Sequence, residues 1–209
     1  KLLAYLPGSR VAAMTARCVL IIPDAGPINS LWVAGELPLL LKLGMPVVLI
    51  DQVYAELTSD PETYLKDREV KAFVEAHPKV FTIEETNVGK MAAALRAQGT
   101  FKTGQSLGEA AIAYFFQHGL EKYVRDDQAA LLLFEDADFR SVKVIRRPRN
   151  VHLTSTVAWL RGLQNLGIIA SADDIIRAMT HPTDPMKRPR KFTDLPDGTD
   201  EPAEIGSSW

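Results

Sequence analysis

Five short, largely apolar runs constrain this chain most: Cys18–Ile22, Pro46–Ile50, Lys79–Ile83, Ala129–Phe134 and Val151–Leu153, of which the first, second and fourth show no polar alternation. A strand with one wet face alternates apolar with polar residues, whereas a continuous apolar run is buried on both faces, as in a parallel sheet. Helical patterns fall between the runs. They cover two short pieces at Ile28–Val33 and Glu36–Leu43, then Gln52–Thr58, Pro61–Ala76, Val88–Gln98 and Ser106–His118. A short piece with Phe139 and Val142 follows, then Thr154–Leu166 and Ala172–Met179. Strand and helix in alternation imply βαβ units with helices on both faces. The expected fold is therefore α/β, three layers (α/β/α), with a mostly parallel sheet of about five strands.

Residues 14–180 are read as this domain. Residues 1–13 precede Met14, lack the order of a signal peptide and are read as extraneous or upstream. Residues 181–209 form a Pro-rich tail of the kind that ordinarily packs no core. The single cysteine, Cys18, can form no internal disulfide, which fits a reducing, cytoplasmic setting. No apolar run reaches the eighteen or so residues that span a bilayer, so no membrane partner is expected.

In such a sheet, ligands bind beyond the carboxyl ends of the strands. Asp24 ends the first strand, Glu56 lies on the helix after the second, Glu109 is in the first turn of the strongest helix, and Asp136 ends the fourth strand with Asp138 behind it. Each has an ordinary explanation. Asp24 and Asp136 can cap or turn, Glu56 can be plain surface, and Glu109 can complete an S-x-x-E capping box with Ser106. Together, however, they are placed toward one edge. Gathered carboxylates repel one another, and a hard divalent cation with oxygen ligands resolves that repulsion. The four histidines are scattered and Cys18 is alone, so zinc is disfavoured. No dinucleotide or P-loop glycine motif is present, and the first strand offers one acid where a receiver would need a pair.

The order D-A-G-P at Asp24, V-Y-A-E-L at Glu56, L-G-E-A-A-I-A at Glu109 and L-L-L-F-E-D-A-D-F-R at Asp136 resembles the PIN-domain family, and within it the VapC-type toxins of toxin–antitoxin pairs. The T-S-T-V-A-W-L-R-G-L-Q-N-L-G-I-I segment from Thr154 is similar to that family's threonine turn and closing helices. The similarity runs from about Val19 to Met179. It implies a Mg²⁺- or Mn²⁺-dependent endoribonuclease, a hydrolase with Asp24, Glu56, Glu109 and Asp136 as its catalytic acids. Asp24, Glu109, Asp136 and the accessory Asp138 would hold metal. In the run Glu135–Asp136–Ala137–Asp138, Asp136 is the carboxylate taken for the metal.

The resemblance also implies an RNA substrate, a cognate antitoxin protein and homodimerisation. Arg140, Arg146, Arg147 and Arg149 are the candidate phosphate contacts, though basic clusters also serve as plain solvated surface. Where the family often has a hydroxyl residue, this chain has Ala25, and Asn29 or Ser30 is the candidate substitute. The competing readings are a PIN-like fold that binds without catalysis and a housekeeping metal-dependent nuclease. The overall charge of −2 and pI of about 6.1 do not by themselves indicate a nucleic-acid binder.

Overall fold

The fold is described from a computed structural model over residues 17–100, 107–135 and 148–191. The five apolar runs form five strands: β1 (Arg17–Pro23), β2 (Val47–Ile50), β3 (Phe81–Glu84), β4 (Gln128–Phe134) and β5 (Val151–Ser155). They build one sheet in the order β3-β2-β1-β4-β5, with every pairing parallel. All four residues of β2 and all five of β5 are buried. Adjacent strand residues point to opposite faces, so both faces must be covered, as the unalternated runs imply.

Eight α-helices supply the cover among the described residues: α1 (Ala25–Ala34), α2 (Leu39–Lys42), α3 (Asp51–Leu57), α4 (Leu65–Ala76), α5 (Asn87–Ala97), α6 (Leu107–His118), α7 (Thr156–Asn165) and α8 (Ala172–Thr180). Helix α1 packs against α8, α3 and α4, and α6 packs against α3 and α5. The three-layer α/β/α expectation holds.

Several boundaries differ from the sequence reading, each for a local reason. Helix α1 starts directly after Asp24, with Pro27 in its first turn, where a missing N–H costs nothing. It ends at Gly35, whose φ of 76° is the left-handed C-terminal turn. Helix α4 begins at Leu65 rather than at Pro61, because Asp60 draws the preceding residues into a turn through the Thr63 N–H. Asp51 is inside the first turn of α3 rather than its cap. Its carboxylate accepts from the backbone N–H and the hydroxyl of Thr86, the N-cap of α5. The short helix expected around Phe139 and Val142 lies outside the described residues, as does Ser106 of the expected capping box.

The segment 182–191 does not stand away from the domain. Arg190 N–H donates to Met179 O at 2.9 Å, and Lys187 Nζ donates to Trp32 O at 2.8 Å. Lys187 thus meets a carbonyl in the last turn of α1 that also accepts from the Gly35 N–H, where a cation complements the helix dipole. The ammonium lies 5.0 Å from the Trp32 ring centroid.

Candidate active site

From β1 the order runs outward to β2 and β3 on one side, and to β4 and β5 on the other. The reversal lies between β1 and β4, and in sheets of this kind it opens a crevice at the carboxyl ends of those two strands. The Asp24 N–H donates to Leu133 O at 2.9 Å, so the two strand ends lie side by side. Asp24 ends one strand and Glu135 follows the other.

Asp24 occupies the N-cap position of α1, yet its side chain makes no capping hydrogen bond. The ordinary explanation for this acid is therefore absent. Its pKa is raised from 3.8 to about 6, first by burial, with the adjacent Ala25 N–H acting against the rise. The charges of Glu56, Glu109 and Glu135 push it further up. Acids from four separate elements therefore act on one another here.

Glu56 is exposed on α3, which starts where β2 ends. Glu109 is half-buried in the first turn of α6. A Cβ on the neighbouring Gly108 would touch the Val53 Cγ2 methyl at 3.7 Å, so the start of α6 rests on α3. The charges of Glu56 and Glu109 thus act on Asp24. Asp136, Asp138, Arg140, Arg146 and Arg147 lie outside the described residues. Arg149 is exposed in the turn before β5. That is the amino edge of the sheet, opposite the crevice, so Arg149 is not brought to the site.

Glu135 was not among the acids selected from sequence. It is 4% exposed, and both its oxygens are occupied. Thr156 Oγ1 donates to Oε1 at 2.6 Å, while Ser30 Oγ and Arg190 Nη2 donate to Oε2 at 2.8 and 2.7 Å. Burial raises its pKa, and Thr156, Arg190 and Ser30 act against that rise. A Cβ on Gly26 would come within 3.0 Å of the Glu135 Cβ, so a glycine at the start of α1 lets this carboxylate pack against the helix. Ser30 is thus the hydroxyl near Ala25, and it serves Glu135. The one available signal for Glu135 was its place: it follows β4 as Asp24 follows β1. Arg190 had no such signal, because it reaches the site from beyond the last helix.

The donor chemistry of the crevice fits a hard divalent cation. All the donors are carboxylate oxygens, and Asp24 carries a charge that burial and three neighbouring acids disfavour. Among the described residues no three His, Cys, Asp or Glu side chains are close enough to form a ready-made metal cage. Mg²⁺ commonly binds through one or two carboxylates and keeps several waters. Asp24 and Glu109 would be the described ligands, and Glu135, its lone pairs already engaged, would not.

No protein-family model matches the chain, and no curated protein and no solved structure matches it. Among the described residues no helix is long and apolar enough to cross a membrane.

Proposed function

We propose that the chain is a Mg²⁺- or Mn²⁺-dependent endoribonuclease that hydrolyses RNA phosphodiester bonds at the crevice around Asp24. The observation that supports the reading is Asp24 at the switch point of a parallel sheet, its side chain making no cap hydrogen bond and acted on by the charges of Glu56, Glu109 and Glu135. Asp24 and Glu109 would hold the metal, with Asp136 and Asp138 as the further ligands that the resemblance to PIN domains implies. When bound, the cation lowers the pKa of a coordinated water and stabilises charge on a phosphodiester oxygen.

The protein's own groups do the rest. Glu56, the exposed member, takes up a proton from water. Glu135, fixed by Ser30, Thr156 and Arg190, keeps the start of α1 and hence Asp24 in position. Its hydrogen bonds make it a positioning residue rather than a catalytic one. Attack in line with the leaving oxygen would leave a 5′-phosphate.

The same resemblance supports a toxin of a type II toxin–antitoxin pair. That reading adds a cytoplasmic location, an antitoxin protein that blocks the crevice, and a homodimer.

Purified protein should cleave RNA with Mg²⁺ or Mn²⁺, stop on chelation, and lose cleavage in Asp24→Asn while the far-UV circular dichroism stays unchanged. Cleavage by the variant at the wild-type rate would refute the assignment. RNA binding without any cleavage would favour the non-catalytic alternative.

A further inference from the structure

The crevice is acidic, and an acidic crevice repels the polyanion it is proposed to cut. Cations must flank it to hold the phosphates on either side of the scissile bond. Arg149 lies at the far edge of the sheet and cannot serve. The strap 182–191, however, runs up to the crevice. Two of its cations are turned to the protein: Lys187 is bound to Trp32, and Arg190 is bound to Glu135 and, through its backbone, to Met179.

The strap's other two cations are Arg188, between these two anchors, and Lys191, just beyond them, and both are exposed. Among the described residues neither has an ion-pair partner. Lys191 directly follows Arg190, and Arg188 is two residues before it. At about 3.8 Å per residue, both backbones are within about 8 Å of the residue that grips Glu135. Pro189 limits the freedom of the backbone between the two anchors. Little backbone entropy is then lost when Arg188 engages a ligand.

We propose that this strap is the substrate-contact surface of the site, with Arg190 as its anchor and Arg188 and Lys191 as contacts to the phosphodiester backbone of single-stranded RNA. The inference rests on the ribonuclease reading and adds where the substrate is held. Contacts of this kind read phosphate rather than base, so they supply affinity and salt dependence without sequence preference.

The test is steady-state cleavage of a short single-stranded RNA with Mg²⁺ over a range of NaCl concentrations. It compares wild type, Arg188→Ala/Lys191→Ala, and a control pair at the amino edge, Arg125→Ala/Arg149→Ala. Both pairs remove two positive charges from exposed residues. The strap pair should raise KM about tenfold, leave kcat within about twofold, and flatten the slope of log KM against log salt by about 1.4. The control pair should change none of these. An unchanged KM and slope in the strap pair, with wild type active, would overturn this inference and leave the nuclease reading standing. So would normal RNA cleavage accompanied by loss of binding to a protein partner, because the strap would then be a protein-docking surface. If wild type itself fails to cleave RNA with Mg²⁺, the nuclease reading falls and this inference falls with it.

Discussion

Asp24 is a carboxylate whose charge the fold disfavours. Its pKa is raised from 3.8 to about 6, so its contribution to stability is present below pH 3.8 and is lost as the pH rises through about 6. Above that, the metal-free protein carries a penalty of about 3 kcal/mol. Asp24→Asn removes the charge while keeping the shape. In the presence of a chelator at pH 7.5, thermal melts should find the variant more stable than wild type, by about 1–3 kcal/mol. At pH 4 the difference should shrink. A variant less stable than wild type at pH 7.5 would contradict this account of Asp24.

Glu135 shows the reverse case, a buried charge that is fully served. Arg190→Met should cost about 3–5 kcal/mol in urea denaturation, because it strands that charge among two hydroxyls. Adding Glu135→Gln should recover much of the loss. Asp24, Glu56 and Glu109 could be picked from the sequence because each sits at a strand end or in the next helix. Glu135 was not singled out, because Glu135 and Asp136 are adjacent acids that the sequence alone does not rank. The donors around Glu135 show it to be a buried, held carboxylate.

At the scale of elements, helix starts are tied to neighbouring elements rather than only to their own caps. Asp51 belongs to α3 but holds Thr86, and Thr86 Oγ1 in turn accepts from the Gly89 N–H in the first turn of α5. Gly89 must be a glycine for a steric reason. A Cβ there would come within 1.9 Å of Asp51 Oδ2 and 2.5 Å of its Cγ. Gly89→Ala should therefore destabilise the protein by about 1–3 kcal/mol in chemical denaturation, whereas helix propensity alone would make it stabilising by about 1 kcal/mol. A neutral or stabilising Gly89→Ala would contradict the Asp51–Thr86 clasp. Strands β1, β2 and β4 were readable because buried apolar runs have one physical meaning here; β3, an edge strand with Thr82 and Ile83 exposed, is not of that kind. The start of α4 and the role of Asp51 were not, because each depends on a partner distant in sequence.

At the scale of the molecule, sequence pattern carried the α/β class, the parallel pairing and the strand count. It did not carry the order β3-β2-β1-β4-β5, since buried runs look alike and the order follows from how each crossover packs. That order places the switch point between β1 and β4, and so explains why Asp24 and Glu135 meet. The basic cluster Lys187, Arg188, Arg190 and Lys191 is visible in the sequence and suits RNA or partner contact as well as a solvated tail, but its packing is not, because only the structure shows Arg190 on Glu135.

All of these features bear on one claim, that the acids at the switch point are gathered around a divalent cation. Calorimetric titration of Mn²⁺ into wild type and Asp24→Asn at pH 7.5 tests it without relying on any RNA substrate. Binding to wild type, weakened at least about tenfold in the variant, is the predicted result. No binding to wild type, or equal affinity in the two proteins, would contradict it.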